Sequence, residues 1–292
     1  MCRLNFINAV CVNKSSMDQD GHMDISDLTQ MPDLSFAIQT ARLVGEALLD
    51  RPTNLEISTK STKTDVVTHM DHLAEQMIVD RIENLRPLDG ILGEEGATKV
   101  SQSGFQWVID PIDGTINYLY DLPFWCVSIA LVRIETNTSV VGVVFAPALG
   151  EMYIAREGMG AFRITDDGNQ KLQTSASTEL SLSLMGTGFG YAAQRRIEQA
   201  QVLTHVLPKV RDIRRLGSCA IDLCEVASGR LDGFYEQGVN HWDYAAGVLI
   251  VREAGGVVGG LHGSTEGSEM LLACTSGIYS EMMSVLELST KR

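Results

Sequence analysis

The sequence predicts a mixed α/β fold. Segments with apolar residues at helical spacing alternate with short β-branched segments bounded by glycine or proline, and no segment repeats at a fixed period. One helix is predicted over residues 34–49 and a second over residues 71–86, where Pro87 ends it. The predicted inward face of the second helix consists of Leu73, Met77, Ile82 and Leu85.

The remaining elements follow the same two patterns. Predicted strands occupy residues 107–109, 127–134, 140–145, 152–155, 183–185 and 233–236. Predicted helices occupy residues 195–207, 220–228 and 243–254. Because helices and strands are interleaved along the chain, they are expected to pack on one another in layers rather than as separate all-α and all-β units.

The length of 292 residues corresponds to one or two domains. Residues 1–32 show no sustained period and include a polar, acidic stretch ending at Pro32, so they are predicted to form a flexible leader. Residues 33–290 are predicted to form one domain. The polar residues 165–170 are the expected subdomain seam within it.

The composition excludes several classes of protein. With 45% hydrophobic and 21% charged residues, the chain is neither disordered nor collagen-like. Its 37 acidic and 23 basic residues give a formal charge of −14, which disfavours binding to nucleic acid or to anionic membranes. No segment approaches the ~20 apolar residues of a membrane span. Because the chain is this acidic, an anionic substrate would require bound metal ions.

The six cysteines favour a cytoplasmic location. They are scattered, and neither they nor the six histidines have the spacing of a zinc site. The N-terminal segment lacks the features of a secretory signal peptide. The thiols are therefore expected to be reduced and mostly buried.

One glycine-rich motif has no evident ligand. Gly186-x-Gly188-x-Gly190 follows a predicted strand, but the third glycine spacing and the acidic residue of a dinucleotide-binding fingerprint are missing. The motifs of P-loop, zinc-protease and serine-hydrolase sites are also absent from the sequence. Nucleotide-cofactor chemistry is therefore not predicted.

Two groups of carboxylates carry the candidate chemistry. Gly93-Glu94-Glu95-Gly96 follows an apolar pair, and Asp110-Pro111-Ile112-Asp113-Gly114-Thr115 continues the apolar strand 107–109. Pro111 predicts a turn that points Asp110 and Asp113 at a common spot. Like charges packed together oppose folding unless cations neutralise them, and oxygen-only ligands favour Mg²⁺.

These two motifs, followed by Trp242-Asp243-x-Ala245-Ala246-Gly247, resemble the inositol monophosphatase family over residues 34–290. The segments 186–191 and 214–220 look most similar to its bacterial, actinobacterial SuhB-type members. The resemblance implies a layered α-β-α-β-α sandwich with phosphatase activity. It also implies a homodimer, inhibition by lithium, and two to three Mg²⁺ ions per site.

The resemblance also implies a ligand set for those ions. Glu94, Asp110 and the carbonyl of Ile112 are expected to hold the first ion, and Asp110, Asp113 and Asp243 the second. Glu94 with water molecules is expected to hold a weaker third ion. Asp243 is also compatible with a role as a helix N-cap.

The catalytic residues implied by the family are Glu94, Thr115 and Asp65. Glu94 and the Thr115 hydroxyl would orient the attacking water, and Asp65, within residues 63–68, would pair with Thr115. A water near Asp243 would protonate the leaving group. Backbone N–H groups of Gly114 and Thr115 suit phosphate oxygens.

The implied substrate contacts extend beyond these residues. Glu236 matches the acid that accepts hydrogen bonds from inositol hydroxyls, and an ordinary strand-end carboxylate is the alternative. Gly217-Ser218-Cys219 matches the loop against the ring, where human-type enzymes have G-T-A. The remaining substrate contacts implied are Glu94, Ile112, Asp113, Gly114, Thr115 and Asp243. For Arg214-Arg215, a surface or dimer contact is favoured over an extra phosphate.

The function implied is Mg²⁺-dependent hydrolysis of myo-inositol 1-phosphate and similar polyol or sugar monophosphates. Three substrates of related enzymes are alternatives: histidinol phosphate, fructose 1,6-bisphosphate and 3′-phosphoadenosine 5′-phosphate. A non-enzymatic role beside the transcription or ribosome-assembly machinery is an alternative of another class, and the charge of −14 argues against it. The expected partner is a small phosphate ester, with no nucleic acid and no membrane.

Overall fold

The computed structural model describes residues 25–52, 55, 57–60 and 66–290. Its α-helices are α1 (Ile25–Thr29), α2 (Pro32–Leu49), α3 (His69–Leu85), α4 (Thr115–Leu119), α5 (Ala193–Val206), α6 (Cys219–Ala227), α7 (His241–Glu253) and α8 (Tyr279–Thr290). Short 3₁₀ turns lie at Leu180–Leu182, Leu207–Lys209 and Leu261–Gly263. None of the described helices combines the length and apolar character needed to cross a bilayer.

The strands form three sheets. A two-stranded ribbon pairs β1 (Ile57–Thr59) with β2 (Val66–Thr68). The large sheet contains β3 (Gly90–Gly93), β4 (Thr98–Lys99), β5 (Phe105–Asp113), β6 (Cys126–Arg133), β7 (Thr138–Ala146), β8 (Glu151–Arg156), β9 (Ala161–Thr165) and β10 (Gly168–Lys171), in the order β10-β9-β8-β7-β6-β5-β3-β4. The smaller sheet contains β11 (Leu184–Thr187), β12 (Asp212–Arg214), β13 (Gly233–Glu236), β14 (Val257–Gly259) and β15 (Leu271–Cys274), in the order β12-β11-β13-β15-β14.

Helices and sheets alternate in five layers. Helices α2 and α3 cover one face of the large sheet, α6 and α7 lie between the two sheets, and α5 and α8 cover the outer face of the small sheet. Successive side chains along a strand alternate between the two faces of its sheet, so a central strand packs against the helices on both sides. Trp107 and Ile109 pack toward α2 and α3, whereas Val108 packs toward the central helices. Phe234 likewise packs centrally and Tyr235 toward α5 and α8, which confirms the predicted α-β-α-β-α sandwich.

The predicted inward face of the second helix is confirmed for Ile82 and Met77 and wrong for its two leucines. Leu73 and Leu85 are 50% and 59% exposed, while α3 buries Asp71 and Glu75 beside its apolar residues. A helical pattern scored by hydrophobicity places carboxylates outward, whereas here tertiary hydrogen bonds keep two of them inside. Functional sites are where such local rules fail.

The predicted leader extends too far. Residues 25–29 form helix α1, whose Leu28 is 1% exposed and packs in the core shared with α2. Helix α2 then begins at Pro32, where the missing N–H is tolerated. The leader prediction is therefore wrong for residues 25–32, and residues 1–24 lie outside the described part of the chain. A hairpin of β9 and β10 occupies the expected seam at residues 165–170.

We expect Leu28→Ala to lower the free energy of unfolding by about 2–4 kcal/mol, because it leaves a cavity in a closed core. Leu288→Ala is the matched control, since Leu288 is 64% exposed and should lose under about 0.5 kcal/mol. Urea unfolding of both variants measures the difference. Equal midpoints would mean that α1 contributes nothing to the core.

The topology brings several strand ends to one place. Strands β3 and β5 are parallel, and so are β11 and β13, so each pair presents two carboxyl ends at the same edge of its sheet. Helices α4, α6 and α7 begin beside these ends. Clefts at the carboxyl ends of parallel strands are common ligand sites.

Candidate active site

Asp110 and Asp113 reach the same pocket because of a bulge in β5. Asp110 pairs with Ser128 and Asp113 with Cys126, so β5 carries one more residue than β6 between these two pairs. Residues three apart in a regular strand point to opposite faces, and the extra residue corrects this. The predicted turn at Pro111 is therefore a bulge within the strand.

Asp110 is 1% exposed and lies among other acids. Its Oδ1 accepts a hydrogen bond from the backbone N–H of Ile112 at 3.1 Å. Burial raises the pKa of Asp110 well above its ordinary value, and the negative charges of Glu94, Asp113 and Asp243 raise it further. Asp110 is therefore the centre of a repelling cluster that a cation would stabilise.

Asp113 is held by the start of α6. Its Oδ2 accepts from the Ser218 hydroxyl and from the Ala220 backbone N–H, both at 2.7 Å. Burial raises the pKa of Asp113 to about 6, and these hydrogen bonds oppose the rise. Ser218 also caps α6 by accepting from the N–H of Ile221. Its hydroxyl therefore orients Asp113, a role that the expected ring contact did not include.

Asp243 occupies the first turn of α7. Asn240 is the N-cap, and Oδ2 of Asp243 accepts from the Asn240 backbone N–H at 2.6 Å, which completes a capping box. The suggested N-cap role of Asp243 is therefore wrong, because Asp243 lies three residues after the N-cap. Burial, followed by the charge of Asp113, raises the pKa of Asp243 well above its ordinary value.

Glu94 lies in the loop between β3 and β4, and α3 fixes that loop. The Glu75 carboxylate accepts from the backbone N–H groups of Glu95 and Ala97 at 2.9 and 3.0 Å. Lys60 Nζ contacts Oε1 of Glu94 at 2.8 Å and Oε1 of Glu95 at 2.6 Å. Burial raises the pKa of Glu95 to about 7. Glu94 thus reaches the pocket from a loop that is fixed by Glu75 and Lys60.

Thr115 begins α4 directly after Gly114, whose φ of 94° favours glycine. The Thr115 hydroxyl lies 3.1 Å from both Oδ1 of Asp71 and the carbonyl oxygen of Ile112. A hydroxyl donates one proton, so it donates to Asp71 whenever the Ile112 oxygen serves another ligand. The other oxygen of Asp71 accepts from the N–H and hydroxyl of Thr68, at 2.8 and 2.7 Å.

The donor set fits divalent cations bound through oxygen. Asp110, Asp113 and Asp243 each engage one carboxyl oxygen in the bonds above, which leaves the second oxygen for a ligand. These acids line the pocket without converging on one point: within the described ranges, no three Asp, Glu, His or Cys side chains have the spacing of a finished ion site. The fit therefore rests on oxygen chemistry and on uncompensated negative charge.

The pocket has a volume of about 420 Å³, within the range of small-molecule sites. Glu236 forms part of its wall beside Gly188, and burial and the charge of Asp113 raise the pKa of Glu236 to about 8. Predicted site residues that line the pocket are Glu94, Asp110, Ile112, Asp113, Gly114, Thr115, Gly217, Ser218, Cys219, Glu236 and Asp243.

Sequence reasoning missed a hydrogen-bond partner of Thr115 and treated two adjacent arginines as a single unit. Asp65 lies outside the described residues, and the carboxylate that the structure places against Thr115 is Asp71. Its signal was the Thr68-x-x-Asp71 capping pattern at the start of α3. The Arg214-Arg215 pair separates: Arg214 binds Asp212 at 2.6 Å, whereas Arg215 lines the pocket.

Comparisons with known proteins identify the family of this chain. The chain matches the model of the inositol monophosphatase family over residues 29–289. It is 43% identical over 237 residues to inositol-1-monophosphatase SuhB of Mycobacterium tuberculosis, covering 79% of this chain and 81% of that protein. It is 39% identical over 263 residues to the Nus factor SuhB of Pasteurella multocida, covering 88% and 96%. The crystal structure of extragenic suppressor protein suhB from Bartonella henselae superimposes with a TM-score of 0.80 at 33% identity, covering 87% and 98%.

Proposed function

The chain belongs to the inositol monophosphatase family and is a phosphatase, and we propose that it hydrolyses myo-inositol 1-phosphate and related polyol monophosphates with Mg²⁺. The observation that carries the proposal is the placement of Glu94, Asp110, Asp113, Asp243 and the Thr115 hydroxyl on one pocket. Oxygen-only donors favour Mg²⁺ over softer metals, and the family resemblance supports two to three ions.

The residues of the chain have separable roles in this reaction. Bound cations would neutralise phosphate charge and acidify the attacking water. Glu94 and the Thr115 hydroxyl orient that water toward phosphorus, and Asp71 holds the Thr115 hydroxyl in place. Asp243 orients the water that protonates the departing alkoxide. Glu236 hydrogen-bonds a hydroxyl of the leaving polyol.

A phosphate-release assay tests the proposal. We expect Mg²⁺-dependent release from myo-inositol 1-phosphate at a higher kcat/KM than from histidinol phosphate, fructose 1,6-bisphosphate or 3′-phosphoadenosine 5′-phosphate. No release from any phosphomonoester in saturating Mg²⁺ would contradict it. A preference for one of the other three esters would instead reassign the substrate.

Lithium provides a second measurement. The family resemblance supports occupation of the weakly held second metal site by Li⁺ after catalysis, which would trap product phosphate. We therefore expect inhibition by millimolar Li⁺ at saturating Mg²⁺, with NaCl at equal ionic strength as the control. Equal rates in the two salts would show that this metal site is built differently.

A cytoplasmic homodimer acting on small phosphate esters, without nucleic acid or membrane, completes the proposal. The cysteines that the structure describes, Cys126, Cys219, Cys224 and Cys274, are buried free thiols, as expected in a reducing compartment. Gel filtration with light scattering tests the dimer.

A role with the transcription machinery is the second candidate. It is favoured by the similarity to proteins named Nus factor SuhB, such as that of Pasteurella multocida. The charge of −14 disfavours direct nucleic-acid binding, so protein contacts would have to carry this role. Such a role should survive in Asp243→Asn, whereas the phosphatase activity should not.

A further inference from the structure

The motif Gly186-x-Gly188-x-Gly190 makes room for charged side chains from other elements. A Cβ at Gly186 would lie 2.9 Å from Oδ1 of Asp222, and one at Gly188 would overlap the carboxylate of Glu236. A Cβ at Gly190 would lie 2.9 Å from Cδ of Arg195. In chain order, the three glycines therefore leave space for an aspartate, a glutamate and an arginine, all of which line the pocket.

Two arginines on this pocket make no hydrogen bond to a described residue. Of the arginines in the described part of the chain, Arg195 and Arg215 are the ones that make neither a hydrogen bond nor a close ion pair with a described residue. Both line the pocket. Their sequence neighbours are satisfied: Arg196 donates to the Gly190 carbonyl at 2.7 Å, and Arg214 binds Asp212.

Glycine residues leave room for both guanidinium groups at the pocket. Nη1 of Arg195 lies against Gly238, and Nη1 of Arg215 lies against Gly217. Each guanidinium offers five N–H donors in a planar fork that matches the oxygens of phosphate or carboxylate. Both side chains are exposed and hydrogen-bond to no described residue, so their N–H donors can bind an anion that enters the pocket. The carboxylates of Asp222 and Glu236 lie within electrostatic reach of Arg215.

The charge of Arg215 opposes the rise in pKa of two acids of the pocket wall, Asp222 and Glu236. Asp113 raises the pKa of Glu236 and Arg215 lowers it, so Glu236 lies within electrostatic reach of both. Asp110, Asp113 and Asp243 suit the phosphate that is hydrolysed once cations are bound. The arginines suit an anion without any metal.

Building on the proposed function, we propose that Arg195 and Arg215 form a subsite for a second anionic group of the substrate. Among acyclic polyol phosphomonoesters of equal length, this subsite favours those that also carry a phosphate or carboxylate away from the ester that is cleaved. Glu236, between the two charged regions, binds a hydroxyl of the connecting polyol.

Three hexitol phosphates of equal carbon number test the subsite. Glucitol 6-phosphate ends in a hydroxyl, 6-phosphogluconate in a carboxylate, and glucitol 1,6-bisphosphate in a second phosphate. We expect kcat/KM in Mg²⁺ to be at least about tenfold higher for an anionic compound than for glucitol 6-phosphate, as one charge-assisted contact provides. The two anionic compounds distinguish a carboxylate from a phosphate.

The arginines are tested by the ratio of these kcat/KM values. Arg195→Met with Arg215→Met should bring the ratio to about one, and the corresponding lysine variants should give intermediate ratios because the planar fork is lost. Arg196→Met and Arg214→Met are the matched controls and should keep the wild-type ratio. Melting temperatures verify that all variants are folded.

The outcomes separate the two proposals. Turnover of glucitol 6-phosphate without preference for either anionic compound would overturn the subsite and leave the phosphatase assignment intact. A preference that survives removal of both arginines would also overturn it. Release from none of these esters, nor from myo-inositol 1-phosphate, would overturn the proposed function and the subsite with it.

Discussion

Asp243→Asn is expected to lower kcat by about a thousandfold or more, because it removes a carboxylate from a cation site, and about 4 kcal/mol of lost transition-state stabilisation corresponds to that factor. The helix itself should tolerate the change. Oδ2 of Asp243 accepts from the Asn240 N–H, and an asparagine carbonyl can accept the same bond. A purely structural role would therefore leave activity nearly normal.

Stability without metal gives an independent readout for the same variant. Asp243 lies within electrostatic reach of Asp113 and Glu94, and each raises its pKa. Neutralising one of several repelling acids should leave the metal-free melting temperature unchanged or higher. Mg²⁺ should then raise the melting temperature less in the variant than in the wild type.

Asp212→Asn is the matched control for these measurements. Asp212 is an exposed aspartate that binds Arg214, away from the pocket acids. Its loss should change neither turnover nor the effect of Mg²⁺ on melting. Near-normal turnover of Asp243→Asn at modest Mg²⁺ would remove Asp243 from the site.

Asp71→Asn is expected to lower kcat by about 10²–10³, with a smaller change in KM, because the Thr115 hydroxyl loses its charged acceptor. The amide cannot replace both carboxyl oxygens as acceptors, so either Thr115 or the Thr68 cap loses a bond. The cap alone costs about 1 kcal/mol of stability. Kinetics and urea unfolding of the same preparation distinguish these losses.

A double-mutant cycle tests whether Asp71 acts through Thr115. Thr115→Val removes the hydroxyl at similar volume, and Thr115→Ser retains it. If the pair acts as a unit, the double variant Asp71→Asn with Thr115→Val should be little slower than either single variant. Additive losses would mean that Asp71 does not act through this hydroxyl. Asp65→Asn tests the pairing with Thr115 that the family resemblance implies. Because Asp71 contacts Thr115, we expect the larger loss of kcat in Asp71→Asn.

The acidic motif and most central elements could be predicted from the sequence, because their signals are local. The run Trp107, Val108, Ile109 predicted a strand, and the structure shows that this strand, β5, is buried on both faces. The acids that follow it, Asp110 and Asp113, do line one pocket. Strand 233–236 has the predicted bounds.

Tertiary structure decided what hydrophobicity and motif spacing do not encode. Asp71 and Glu75 are buried on α3 because Thr115 and the 93–97 loop supply hydrogen bonds from distant parts of the chain. The bulge at Pro111 depends on pairing with β6, which no property of Pro111 alone specifies.

Arg214 and Arg215 are adjacent and chemically equal in the sequence. The sequence by itself determined the fold class and most of the acidic residues that line the pocket. The fold determined which neighbours orient those residues and which arginine lines the pocket, because burial and charge depend on groups far apart in the chain.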